Sequence, residues 1–223
     1  MMQIITPTGD RPQAWALCER WMARQTYAGP VIWHVVDDGR EPLRMTFGRD
    51  GWRVVLHRLD PLDQNTQARN MMHLLRQVNP AHPTVVIEDD DWYAADWLEV
   101  CAHMMRDAEC IGEAPARYYN VSRRVSRQLQ NSGHASLCAT AVRGHAVETL
   151  RRACEDRRTF IDLELWRRHR SRRLFGGRRV VGIKGLPGRG GIGMGHDARF
   201  AGTPDPDGRI LRSWIGADAE AYL

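Results

Sequence analysis

The sequence predicts an α/β fold in which a mostly parallel sheet is flanked by helices. Three observations predict it. Two apolar, β-branched runs, residues 31–36 and 84–87, each lead directly into carboxylates, as buried strands do when they bring polar residues to the C-terminal edge of a sheet. Segments with helical spacing alternate with such runs, giving the order β-α-β-β-α-β up to the second acidic run. The length of 223 residues, with 43% hydrophobic and 26% charged residues, suits one core and one domain.

In chain order, residues 3–5 form a short strand that ends in the polar turn Thr6-Pro7-Thr8-Gly9-Asp10-Arg11-Pro12. Residues 13–25 follow as a helix with Trp15, Leu17, Cys18, Trp21 and Met22 on one face. Thr8 and Arg11 stand at the strand's mouth, where they can meet a phosphate or a nucleobase. Residues 31–36 form the second strand, ending in Asp37-Asp38-Gly39, and residues 53–56 a short third one. Residues 65–78 carry Ala68, Met71, Met72, Leu74 and Leu75 at helical spacing. The strand at 84–87 runs into Glu88-Asp89-Asp90-Asp91. One acid would suffice to cap a following helix, and Asp90 or Asp91 could do so. Four in a row repel one another more than a helix N-terminus offsets, so a divalent cation holding a phosphorylated ligand is the expectation.

Beyond the acids, residues 92–107 are predicted to be helical, residues 111–113, 116–121 and 135–142 strands, residues 147–158 a helix, and residues 159 to about 174 a very basic helix. Residues 180–183 read as a last strand. After Lys184 come six glycines between 185 and 195, with Arg189 and His196 among them. A disordered tail is one reading of such a loop; a lid that orders over a ligand is the other, favoured by its phosphate- and metal-holding residue types and by the apolar anchor Trp214-Ile215.

The net charge of +5 is carried by arginine, because Lys184 is the only lysine. A basic balance favours a phosphate-rich partner, although codon bias would also replace Lys with Arg. The five cysteines form no C-x-x-C pair, so no disulfide framework or zinc site is expected. No apolar run approaches the roughly 18 residues of a membrane span, and the first residues lack the features of a secretory signal. A cytoplasmic protein without membrane contact is expected, in a host's cytoplasm if it is viral.

Together, the Thr-Pro-Thr-x-x-Arg turn, Val-Val-Asp-Asp-Gly, Val-Ile-Glu-Asp-Asp-Asp-Trp-Tyr and Ile-Asp-Leu-Glu-Leu-Trp stand in the order seen in GT-A fold glycosyltransferases, and the chain most resembles the family 2 type over about residues 3–196. The resemblance implies one Rossmann-like GT-A catalytic domain over residues 1–223, with residues 185–223 as Gly-rich lid and tail. It implies a nucleoside diphosphate sugar as donor, Mn2+ or Mg2+ as cofactor, and transfer to an acceptor hydroxyl, in the inverting manner if the base is in place. Donor contacts would fall to Thr6, Thr8, Arg11, Asp37, Asp38, Asp89, Asp90, Lys184 and Arg189. Asp91 and His196 would hold the metal. Asp162, with Glu164 next in line, would be the catalytic base, unless these two acids merely favour a helix start. Glu88, where many members have Asp, and Ile161, where an acid usually precedes the base, depart from the pattern.

Arginines at 117, 123, 124 and 127 flank Tyr118 and Tyr119, and five more follow Asp162 between 167 and 173. Tyr118, Tyr119, Arg123 and Arg124 are accordingly expected to bind the acceptor. Cations that track phosphates and tyrosines that stack a flipped base suggest a hydroxylated base in DNA, such as the hydroxymethylated pyrimidine that some bacteriophage enzymes glycosylate. Two other functions compete. A metal-dependent nucleotidyltransferase would share the sheet and acids but wants a glycine-rich phosphate loop after the first strand, which Thr8-Gly9-Asp10 does not supply. A non-catalytic basic nucleic-acid-binding protein would explain the arginines but not the carboxylates.

Overall fold

The computed structural model describes residues 1–157, 159–191, 193–196 and 200–223. Arg158, at the end of the expected fourth helix, and Ile192 and residues 197–199, in the Gly-rich tail, lie outside the described residues. The elements are β1 (Met2–Thr8), α1 (Pro12–Ala23), β2 (Val31–Asp37), β3 (Trp52–Arg58), α2 (Gln67–Leu75), β4 (Thr84–Val86), β5 (Trp92–Tyr93), α3 (Trp97–Met104), β6 (Cys110–Glu113), β7 (Arg117–Asn120), β8 (Val125–Gln128), β9 (Thr140–Val142), α4 (His145–Asp156), α5 (Ile161–Arg168), β10 (Arg172–Phe175), β11 (Val180–Lys184), β12 (Thr203–Pro204) and α6 (Arg209–Ile215).

Seven strands form the main sheet in the order β10-β6-β9-β4-β1-β2-β3. β1 pairs in parallel with both β2 and β4, β2 with β3, and β6 with β10; β9 alone runs antiparallel to its neighbours. The chain leaves β1 towards β2 on one side and returns to β4 on the other. That reversal opens a crevice at the C-terminal ends of β1 and β4, the switch point where open α/β sheets bind ligands. Five further strands form a second sheet, β12-β8-β7-β11-β5.

Continuous apolar strands are buried by helices on both faces. Trp15, Cys18, Trp21 and Met22 of α1 are buried as the helical spacing predicts, and Trp15 stacks on Trp33 of β2 with centroids 5.3 Å apart. All five cysteines are buried and unpaired. Among the described residues no helix is long and apolar enough to cross a membrane.

Three expectations are corrected. Trp92 and Tyr93 are not the start of a helix: they form β5, antiparallel to β11, and the helix begins at Trp97. Aromatic residues favour a pleated, half-covered surface, and the Tyr93 hydroxyl here accepts the Glu88 N–H at 2.9 Å. The basic helix from 159 stops at Arg168, and Arg172–Phe175 pair with β6 at the sheet edge, where strand pairing overrides local helix preference. Residues 135–142 are a 3-10 turn at Leu137–Ala139 followed by the short β9. In addition, Thr6 to Thr8 extend β1 beyond the expected turn, and the basic stretch after β7 folds back as β8, with Arg124 at φ 51° in the turn.

Candidate active site

The site begins where β1 and β4 end. Thr8, the last residue of β1, donates its hydroxyl to Asp89 at 2.7 Å. Arg11 reaches back from the start of α1 to hold Asp89 at 2.6 Å through one terminal nitrogen and Asp90 at 2.5 Å through the other. On the far side Lys184, at the end of β11, places its Nζ 3.0 Å from Asp91, 3.6 Å from Glu88 and 3.7 Å from Asp90. Arg11 and Lys184 thus supply, from the chain itself, charge that the sequence alone assigns to a bound cation. A compact ammonium with three donors can serve three carboxylates in a way that a planar guanidinium cannot, which accounts for the single lysine standing at this position.

The four acids divide. Asp91 faces inward: its Oδ1 accepts the Ile183 N–H at 2.8 Å as well as Lys184, its Oδ2 is buried, and the Cys138 thiol lies against the carboxylate. Glu88, Asp91 and Cys138 bring ligand atoms within 4.8 Å of one another, but the Lys184 ammonium already lies against both of those carboxylates. Asp90, by contrast, lines an open cleft together with His196, whose Nε2 is 3.8 Å from its Oδ2. A cation bound to both at ordinary ligand distances of about 2.0–2.2 Å would fit that spacing. Burial opposes the ionisation of Asp90, yet Arg11 and Lys184 outweigh it and hold the carboxyl well below its usual range. Burial, then Lys184 and Arg11, push the His196 imidazole down to about 4, against the pull of Asp90. Near neutral pH the pair therefore offers an ionised oxygen and a neutral nitrogen, the forms that ligate a metal. Burial pushes Glu88, Asp89 and Asp91 upward instead.

The first cleft measures about 890 Å³, and its lining includes Thr8, Arg11, Asp89, Asp90 and His196 together with Arg40, Thr66, Asn70 and Arg189. Beneath it lies Asp38, fully buried, gripped by Arg189 on one oxygen and by Arg69 at 3.0 Å on the other. Asp37 is spent on the backbone, accepting the Gly39 and Leu43 N–H groups at 2.9 and 2.8 Å and the Arg58 guanidinium at 2.5 Å. Thr6 is covered one pleat behind Thr8, where it accepts the Trp33 indole N–H at 2.9 Å. The Gly-rich segment packs over this mouth: Arg189 donates its N–H to the Asp10 carbonyl at 3.0 Å, and Gly188, at φ 111°, comes so near that a Cβ would stand 2.5 Å from that oxygen. Only glycine meets both the positive φ and the close approach.

A second cleft of about 350 Å³ adjoins the first, with Gln67 and Glu88 lining both. Gln67 bonds the Glu88 carboxylate at 3.0 Å. Asp162 lines this second cleft from the first turn of α5, beside Tyr118, Arg127, His134 and Phe160. Burial raises its carboxyl pKa, while the backbone N–H groups of Leu163 and Asp162 and the nearby His134 act against the rise. Tyr118 spends its hydroxyl on Ser136 at 2.6 Å and turns its ring toward Lys184.

The remaining expected residues lie elsewhere. Glu164 lines neither cleft and is absorbed by Arg167 at 2.7 Å, Arg157 at 3.6 Å and Arg168. Tyr119 is fully buried, its hydroxyl 3.4 Å from the Asp205 carbonyl. Arg123 donates to the Phe200 carbonyl at 3.0 Å, and Arg124 to that of Leu223 at 2.5 Å. These three fasten the C-terminal segment. Conversely Arg69, Gln67 and His134 enter the site unannounced; the only signal for the first two is the polar face of α2 after Asn65-Thr66.

No protein-family model matches the chain, and no curated protein matches it in sequence. Solved structures match its fold. S. aureus TarS aligns with a TM-score of 0.62 at 12% identity over 82% of this chain and 37% of TarS. TarS 1–349 in complex with UDP-GlcNAc aligns at 0.60 and 11% over 88% of this chain and 61% of that one. The mannosyltransferase PcManGT from Pyrobaculum calidifontis, in complex with GDP-Man and Mn2+, aligns at 0.50 and 12% over 83% and 57%. The chain thus spans between 37% and 61% of these structures' lengths. At such identities the likeness is one of fold, and the fold is the mixed α/β, mostly parallel architecture of GT-A glycosyltransferases.

Proposed function

We propose that the protein is a metal-dependent glycosyltransferase that moves a hexosyl or pentosyl group from a nucleoside diphosphate sugar to an acceptor hydroxyl, acting in the cytoplasm as a single catalytic domain. One observation carries this reading: a charge-lined cleft at the sheet's switch point meets a second cleft holding the half-buried carboxylate of Asp162, and the two share Glu88 and Gln67. The first suits a donor and the second an acceptor, so that the sugar carbon would lie at their junction.

In this scheme the diphosphate lies along Arg11 and Arg189, the nucleoside reaches toward Thr66, Asn70 and the Asp38–Arg69 pair, and Asp90 with His196 would hold Mn2+ or Mg2+. The ion would supply positive charge for the departing diphosphate. Asp162, its affinity for a proton raised by burial, takes the proton of the acceptor hydroxyl as the oxygen attacks the sugar carbon. The bond from that carbon to the diphosphate oxygen breaks on the opposite face, giving inversion. The Gly-rich segment acts as a lid over the diphosphate. A hydroxymethylated pyrimidine in DNA is the proposed acceptor; Arg127 and Tyr118 at the second cleft support it, whereas Arg123 and Arg124 no longer do.

The test is product analysis with a donor panel that includes UDP-GlcNAc and GDP-mannose, Mn2+, and DNA with and without hydroxymethylcytosine. Release of free nucleoside diphosphate with sugar on the modified DNA is expected. Release of pyrophosphate would favour a nucleotidyltransferase, and failure to bind any nucleoside diphosphate with or without metal would overturn the reading.

A further inference from the structure

Few large apolar side chains are exposed among the described residues, and two of them, Phe160 at 54% and Leu163 at 43%, line the second cleft on either side of Asp162. Phe160 is unusual in a second, independent way. It caps the start of α5 with left-handed backbone angles of φ 59° and ψ 37°, and its side chain makes no capping hydrogen bond. A bulky residue is seldom found there, because its Cβ crowds the following carbonyl; Gly or Asn would hold the same turn with less strain. The position therefore keeps an aromatic ring against both backbone preference and solvent exposure, a combination that packing within the chain does not account for.

The polar groups of this cleft are few for a polyhydroxylated guest. Ser136 is engaged by Tyr118, Gln67 by Glu88, and Lys184 by three carboxylates, which leaves Asp162, His134, Arg127 and the Thr159 hydroxyl as the groups that most directly address a ligand. A polyol would leave several of its hydroxyls without partners, whereas a flat ring needs only a surface to lie on.

Resting on the reading of this cleft as the acceptor side, we infer that the acceptor presents its hydroxyl on a planar aromatic or heteroaromatic ring, and that Phe160, with Leu163, is the platform on which that ring stacks beside Asp162. The ring could belong to a nucleic-acid base or to a small aromatic alcohol.

Saturation-transfer NMR on the full chain tests this with four probes: 5-hydroxymethyl-2′-deoxycytidine, a single-stranded oligonucleotide carrying that base, benzyl alcohol and glycerol. Ring-proton transfer is expected for the aromatic probes and none for glycerol. Phe160→Ala should weaken the aromatic probes tenfold or more and Phe160→Trp should retain them. The oligonucleotide binding more tightly than the nucleoside assigns the ring to nucleic acid; equal binding assigns it to a small molecule. Phe160→Gly supplies a control for folding, because relief of the left-handed strain should leave the melting temperature at or above that of the parent while ring binding is lost. Nucleoside diphosphate affinity, titrated in parallel, should not change in any of the three variants. Unchanged probe binding by Phe160→Ala, or glycerol binding as well as the aromatic alcohols, would overturn the inference. If instead the parent binds rings but no nucleoside diphosphate, the glycosyltransferase reading fails and the platform stands.

Discussion

The two clefts differ in how their charges are held. In the first, nearly every ionic side chain is already paired: Arg11 with Asp89 and Asp90, Arg189 and Arg69 with Asp38, Lys184 with three acids behind them. In the second, Asp162 sits among Phe160, Leu163, Leu129 and Leu137, and the other carboxylate, Glu88, is already held by Gln67 and Lys184. A preorganised ionic wall suits a diphosphate, whose charge is the same whatever sugar it carries, and costs no rearrangement when the charge arrives. An apolar recess around one base suits a step in which a proton leaves a hydroxyl, because exclusion of water raises the base's proton affinity.

The largest effect expected from breaking this contrast is on stability. Arg11→Ala would leave Asp89 and Asp90 buried beside each other without their shared guanidinium. Losing one partner of a buried pair costs about 3–5 kcal/mol, so urea unfolding should shift by that order, and millimolar Mn2+ should restore part of it. A loss below about 1 kcal/mol would mean that the acids are solvated in solution and that the ionic wall is not preorganised.

Lys184→Arg probes the same wall. If arginine enrichment is codon drift alone, the change is neutral. Here the Lys184 stem is hemmed in by Gly195, where a Cβ would stand 2.6 Å from its Cγ, and the ammonium serves three acids. Overpacking of this kind costs about 1–3 kcal/mol, measurable as a lower melting temperature with a matching loss of transfer rate.

The pH dependence separates the clefts. Because burial raises the Asp162 pKa, the acid limb of kcat should fall at a pH above the ordinary aspartate value of about 4. Metal affinity should hold to lower pH than a free histidine allows, since His196 titrates at about 4 in place of 6.5. The same depression means that the unfolded chain takes up the His196 proton first as pH falls, so this residue's contribution to stability is lost progressively between about 6.5 and 4. A metal-affinity midpoint near 6.5 would place His196 outside the metal site.

The smallest effects should come from Tyr119→Phe and Arg124→Ala. Both residues fasten the C-terminal segment, so a stability loss of about 1 kcal/mol is expected with no change in acceptor KM. A raised KM would return them to the acceptor side.

These residues also mark what the sequence conveys. A β-branched run that ends in acids announces both the strand and the mouth it feeds, which made β2, β4 and the acidic cluster legible. The direction of each acid was not legible, because residues 88–91 turn out of the strand and the period of two that would assign faces no longer applies. Asp91 went inward and Asp90 met His196 for that reason. Charge counting failed at the arginines, since a guanidinium that tracks phosphate and one that ties down a C-terminal carbonyl look alike in a sequence. β5 and β10 were missed because their partners, β11 and β6, are distant in the chain.

The most direct test of the division into donor and acceptor clefts is calorimetric titration of UDP and GDP, with Mn2+, into the parent, Asp90→Asn and Asp162→Asn, alongside transfer rates. The two-cleft account predicts that Asp90→Asn loses metal-dependent nucleotide binding, while Asp162→Asn binds nucleotide like the parent and loses about 10²–10⁴ in rate. Nucleotide binding that survives in Asp90→Asn and disappears in Asp162→Asn would contradict it.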